Sequence, residues 1–349
     1  MSRETIKAGD NSLNAQAGRD VIIQKYGYKL SEVKEFIENF ADLFFAKRFE
    51  EAQAKYEERA IEFLEKLTLG NTENLTEIMN SLSEPEIVYS LTEAVKQYSF
   101  SGDEEKGDTL INLVANKCLE EPGTLRSIAL SEAIEVVSKL TLQQINALTA
   151  NWLVNNVGST DIFTIDQLCE WLEAHLLPLV SELPRQESSY THMAAKGVVT
   201  LVQLNKTNLG EKYLRNYPDA FSKGFELGDI EEDLRAYSDL LFDSCSNDLS
   251  KLQIKTGFGK DIDGLAARVG LSPRAEKLKE IQSRFQMSAS EAIEQISIKI
   301  STFGDFADLW NSTLISNLFA TPAGIALAYS RWKQLSQGSE ELLIFLQND

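Results

Sequence analysis

The sequence predicts a mainly all-α protein, a multi-helix body preceded by a short N-terminal β segment. Three observations carry that expectation. Apolar residues recur at helical spacing from Ser31 onward, beginning with Val33, Phe36, Ile37, Phe40, Leu43 and Phe44. Ser83 with Glu86, Thr141 with Gln144, Thr164 with Gln167, Asp229 with Glu232 and Ser288 with Glu291 each form a capping box, in which two side chains satisfy free N–H groups of a helix start. Residues 8–25, by contrast, combine turn-forming Gly and Asn with the extended-chain run Asp-Val-Ile-Ile.

Taken in order, residues 1–28 form the β segment, 29–255 a helical body and 256–349 a C-terminal helical subdomain. In the body the stripe continues through Phe49, Ala52, Tyr56, Ala60, Phe63, Leu64 and Leu67 until Gly70 ends it. Residues 47–67 look like half of a tetratricopeptide repeat, but no recurrence at that period follows, so a long surface helix pair explains them. Pro122-Gly123, Gly158-Ser159, Gly210, Gly224 and Gly228 mark turns. The run Gln295–Ser301 alternates Ile296, Ile298 and Ile300 with polar residues. It reads as a strand, able to pair with a second one starting at Leu252, or as a helix burying two adjacent faces; the helix is preferred. Gly-rich residues 256–264 are the candidate boundary between body and subdomain. Near the end, Thr321 is placed to cap a helix with Pro322 at its first position, and Ala323, Gly324, Ala326 and Ala328 would let that helix pack closely.

Composition narrows the classes of function. The chain has 349 residues, enough for about two domains and a well-buried core. Its net charge of −19 repels phosphate backbones, so nucleic acid is not an expected partner without a local basic surface. Cys118, Cys169 and Cys245 are odd in number and far apart, which indicates neither a disulfide framework nor a zinc site. No metal and no cofactor are expected. The first residues lack the apolar stretch of a signal peptide, and the longest apolar run, Leu318–Tyr329, falls short of the roughly 20 residues a membrane span needs. A cytoplasmic protein without a membrane span is the expectation.

Two stretches resemble known chemistry. Residues 264–285 resemble the helix-turn-helix of bacterial transcription regulators, with Ala266 at the tight crossing, Gly270 in the turn and Ser272-Pro273 opening the second helix. Arg268, Arg274, Lys277, Lys279 and Arg284 would then be its nucleic-acid contacts. Glu276 and Lys279, however, occupy positions where that motif packs apolar residues, so a helical hairpin with a charged face is the stronger explanation. Arg185 and His192, with six residues between them, resemble the Arg-x4-6-His signature of HEPN ribonucleases. That resemblance implies phosphate binding by Arg185 and proton transfer by His192. Gln186 stands where the family has a shorter polar residue, and Pro184 puts Arg185 at or outside the helix start. The acids Asp229, Glu231, Glu232 and Asp233 could suggest a metal-dependent nuclease, but they suit a first helical turn better. No Walker loop, Rossmann fingerprint, HExxH or nucleophile elbow is present.

The opening stretch divides into Asn11–Gln16, a turn at Ala17-Gly18, and Asp20–Gln24. One two-strand unit cannot bury its apolar face or pair both edges, whereas stacking against copies in other chains satisfies both. Val21, Ile22 and Ile23 would be buried in such a stack, Asp20 would be a turn acid, and Arg19 could reach a neighbour's carboxylate; Asn14 lies in the same element. The pattern Gly-Asp-x-Ser-x-Asn-x-Gln-Ala-Gly-Arg-Asp-Val over residues 8–24 resembles a short β motif found at the start of many bacterial proteins, several from anti-phage or other conflict settings. Ahead of a helical body, it resembles one uncharacterised bacterial family in particular. The resemblance implies a multimeric defence component. The leading expectation is therefore a non-enzymatic assembly, sensor or scaffold protein of an antiviral system, partnered by itself and by another protein or a phage-derived trigger. A HEPN-like ribonuclease using Arg185 and His192 is the alternative, and a DNA-contacting regulator through residues 264–285 the second.

Overall fold

The computed structural model describes residues 46–159, 161–202, 208–255 and 262–336. The expected β segment, with Asn14, Arg19, Asp20, Val21, Ile22 and Ile23, lies outside the described residues, as does the stripe from Val33 to Phe44. Contacts divide the chain into Met1–Lys55 and Tyr56–Asp349. Of the first unit only the beginning of one helix is described, and the rest of the account concerns the second.

The described chain is mainly helical. In order it forms α1 (Ala46–Leu69), α2 (Leu75–Ser81), α3 (Pro85–Ser101), α4 (Glu104–Cys118), α5 (Leu125–Val136), α6 (Leu142–Asn156), α7 (Ile165–His175), α8 (Leu177–Val180), α9 (Glu187–Ala195), β1 (Val199–Leu201) and α10 (Leu209–Asn216). There follow α11 (Glu232–Arg235), α12 (Ser238–Leu241), β2 (Phe242–Ser244), β3 (Leu252–Ile254), α13 (Ile262–Arg268), α14 (Ala275–Phe285), α15 (Ala289–Lys299), α16 (Phe303–Ser312), β4 (Leu318–Ala320) and α17 (Pro322–Ser336).

Local chemistry sets most helix starts. Thr141 and Gln144 form the capping box of α6, Thr164 and Gln167 that of α7, and Ser288 and Glu291 that of α15. Two expected boxes are replaced. Proline restricts the residue before it to extended backbone, so Glu84 (ψ 124°) precedes α3 and Pro85 opens it, while the Ser83 hydroxyl donates back to the Asn80 carbonyl at 2.9 Å. Asp229 closes a short turn instead of capping α11, its carboxylate accepting from the Glu226 amide at 3.0 Å. Gly210, expected at a turn, lies inside α10: a Cβ there would come within 2.3 Å of the Ala289 carbonyl, so α10 and α15 touch through bare backbone.

Two buried clusters organise these elements. The larger runs from Phe63 to Trp332, and α17 is central to it. Ala326, Leu327 and Ala328 are fully buried as α17 packs against α4, α5 and α6. This is the closely packed C-terminal helix that the small residues predict, with Thr321 capping it by accepting from the Gly324 amide at 3.2 Å. β1 and β4 pair antiparallel, Val199 opposite Ala320 and Leu201 opposite Leu318, which ties the end of α9 to the start of α17. Arg331, 1 % exposed, is held inside by Asn146 Oδ1 at 2.9 Å, Gln334 Oε1 at 2.9 Å and the Glu105 carboxylate.

The smaller cluster runs from Phe225 to Ile281 and contains the β2–β3 pair. The chain leaves the larger cluster at Phe221 and returns at Met287. Ser222 bridges Gln286, the Lys223 amide donates to the Phe285 carbonyl at 2.7 Å, and the Met287 amide donates to the Phe221 carbonyl at 3.0 Å. Ile254 and Ile262, on either side of the boundary expected at residue 255, both belong to this cluster. Gln295–Ser301 is largely the end of helix α15: Ile296 and Ile300 are buried four residues apart, and Ile298 is 70 % exposed. β3, beginning at Leu252, pairs with β2 and not with that run. No helix among the described residues is long and apolar enough to cross a membrane.

Candidate ligand site at Lys212

Arg185 precedes α9, whose cap is Gln186, so Arg185 and His192 do not share a helical face. Arg185 is exposed and borders a cavity of about 290 Å³ with Glu182, Thr302 and Asp305. His192 is exposed in the last turn of α9, its Nδ1 facing the Gln144 amide at 3.1 Å. The other histidine, His175, stands among Trp171 and Trp332 and accepts the Trp332 indole N–H at Nδ1, 3.2 Å away. Burial pushes its pKa down.

The basic residues of 264–285 lie on and between α13 and α14, and three of them meet carboxylates. Arg274 Nε is 3.1 Å from Asp233, Lys277 contacts Glu231 and Asp233, and Lys279 lies 2.9 Å from both Asp263 and Glu276. Arg284 stacks on Phe285, with 4.8 Å to the ring centroid, and Arg268 borders an open groove beside Phe163 and Leu240. Of the acids read from sequence as a helical first turn, Glu232 and Asp233 do open α11, and Glu231 and Asp233 supply counter-charges for this face. The three cysteines are free and buried, and burial pushes the Cys169 thiol up to about 11.

A different residue emerges as the centre of a site. α10 is capped by Asn208, whose Oδ1 accepts from Gly210 N at 2.8 Å and Glu211 N at 3.4 Å. Leu209 and Tyr213 of this helix point into the larger cluster. Lys212, three residues after Leu209, falls on that same inward side and is only 8 % exposed. Its Nζ donates to Asn155 Oδ1 at 2.6 Å. The Asn155 amide is oriented by its own helix, because its Nδ2 donates to the Asn151 carbonyl at 2.9 Å and leaves the oxygen toward the lysine. Among the described residues no carboxylate lies within ion-pair distance of Lys212. Burial, reinforced by the charge of Arg215, pushes its pKa down to about 8.

Beside this ammonium is a chamber of about 380 Å³. α6 contributes Asn155 and Asn156, α16 contributes Trp310, and the segment through β4 contributes Ser316 and Phe319. Two wall amides are committed to backbone: Asn151 Nδ2 donates to the Ile315 carbonyl at 2.7 Å, and Asn317 Nδ2 to the Val202 carbonyl at 2.9 Å. They fix the walls, and among the described residues Lys212 is the cation lining the chamber. The sequence holds a trace of this site, since Lys212 occupies an apolar-stripe position between Leu209 and Tyr213. Its asparagine partner, 57 residues earlier, leaves none.

No curated protein and no solved structure matches the chain. The model of an uncharacterised-like family matches residues 27–346, a range that takes in every described residue. The chain belongs to that family.

Proposed function

We propose that the protein is a non-enzymatic, self-assembling sensor component of bacterial antiviral defence, responding to a small molecule held in the Lys212 chamber. The observation that carries this reading is a buried ammonium without a carboxylate, kept beside open volume. Burying a cation costs stability unless a partner neutralises it, and an occupant of the chamber would supply that partner. Amides and an amine hold and orient a ligand. The walls come from α6, α10, α16 and the β4–α17 segment, so a ligand touching them favours one packing of distant parts of the chain. The motif over residues 8–24 supports assembly, and its resemblance supports the defence setting.

Two variants test the reading in cells challenged with phage. Lys212→Met should abolish protection while leaving particle mass by light scattering unchanged. Removing residues 1–28 should lower particle mass and abolish protection as well. Full protection by Lys212→Met, or equal masses for truncated and full-length protein, would overturn the reading.

A further inference from the structure

Resting on that reading, we infer that the chamber takes a small organic anion, presenting one carboxylate or phosphate to Lys212 and an apolar body to Phe319, Ile325 and Trp310. Charge is the first argument. The walls contributed by α6, α16, β4 and α17 are amide, hydroxyl, aromatic and aliphatic groups, with no carboxylate among the described residues. Arg215 on the same helix is also positive and acts on Lys212. A neutral ligand would leave this ammonium uncompensated, whereas an anion neutralises it at an amine that is itself buried.

Hydrogen bonding is the second argument. An ammonium has three donors, and Asn155 Oδ1 takes one of them. The other two match the paired oxygens of a carboxylate or the three of a phosphate, and the Ser316 hydroxyl and Asn156 amide lie on the same lining. Size is the third. A chamber of about 380 Å³ lies at the low end of small-ligand sites, which span roughly 300–1,000 Å³, and is too small for a folded partner. The net charge of −19 does not favour anions at the surface, so selection falls to the chamber itself.

The experiment uses the full-length protein and four probes: benzoate, phenyl phosphate, inorganic phosphate and neutral benzamide. Binding is measured by calorimetry at pH 7 and pH 9.5. The Lys212 amine is followed by NMR in lysine-labelled protein, its signal assigned by its loss in Lys212→Gln. Benzoate or phenyl phosphate should bind, with an affinity falling roughly tenfold or more by pH 9.5 as the free amine loses its proton. The Lys212 titration midpoint should rise on saturation, and Lys212→Gln should weaken binding at least about tenfold. Preference for benzoate identifies a carboxylate, preference for phenyl phosphate a phosphomonoester; inorganic phosphate binding as tightly as either would refute the apolar body. Benzamide binding as well as benzoate would overturn the anion and leave a ligand site. An unmoved Lys212 midpoint at saturation, or no probe bound at millimolar concentration, would also overturn it. Anion binding that leaves particle mass and phage protection unaltered would refute the sensor reading and leave this inference standing.

Discussion

His175 shows how one side chain can make stability depend on pH. It ends α7 between two indoles, its ring centroid 5.1 Å from that of Trp171 and 5.7 Å from that of Trp332. An imidazole that accepts at Nδ1 carries its single proton on Nε2 and is neutral. Burial opposes the charged form, so the folded chain binds a second proton less readily than the unfolded chain, whose histidine titrates near 6.5. The unfolded state therefore takes up more protons as pH falls below about 6.5, and stability drops there. His175→Asn keeps an acceptor for Trp332 and cannot titrate. Urea unfolding at pH 7.5 and 5.5 should show that the wild type loses more stability than this variant. Equal losses would refute the assignment. Legibility at this scale follows the distance to the partner. The Thr141, Thr164 and Ser288 caps find theirs three residues on and were readable, whereas Lys212 and Arg331 find theirs through the fold and were not.

Among the helices, α17 poses a contest between intrinsic propensity and packing. Alanine is a better helix former than glycine by about 1 kcal/mol, so a Gly→Ala change inside a helix should stabilise it. At Gly324 packing opposes this: a Cβ would fall 1.9 Å from the Val198 carbonyl oxygen, which is itself bonded to the Thr321 amide at 3.1 Å. That oxygen belongs to backbone next to β1, and moving it disturbs the pairing of β1 with β4. Gly324→Ala should therefore destabilise by about 1–3 kcal/mol in spite of propensity. Gly304 in α16 is the control, because its Cβ would meet only the Ser297 hydroxyl at 3.4 Å. Gly304→Ala should be neutral or stabilise by up to about 1 kcal/mol. Denaturant midpoints for the two variants check the contrast, and a stable Gly324→Ala would show that α17 shifts away from β1 at little cost. The small residues of α17 made its close packing readable from sequence, while the identity of the facing backbone was not.

For the whole molecule, the junction between clusters was hidden from sequence because it is a pairing and not a composition. Residues 256–264 look like a linker, yet Ile254 and Ile262 belong to one buried cluster, and the junction proper joins Ser222 to Gln286 across the entire smaller cluster. In an antiparallel pair, residues 223 and 285 lie opposite one another about 5.5 Å apart, a gap that a two-residue turn can close. The main cluster draws its buried residues from Phe63–Phe221 and Ala292–Trp332, with none from between. Replacing residues 224–284 by Asn-Gly should thus leave a protein that keeps its helical circular dichroism and unfolds in one transition. Shortening the connection lowers the entropy lost on closing it, by about 0.6 kcal/mol for each halving of loop length. Against that gain, Phe163 and Asp219 lose the neighbours they share with Leu240 and Leu265 in the open groove. The Lys212 chamber draws no wall from the smaller cluster, so the shortened chain should bind the same anion as the full chain. Loss of a cooperative transition would show that the two clusters fold as one. A cooperative chain that no longer binds would show that the smaller cluster sets the chamber's shape through α10 and α15, which touch at Gly210.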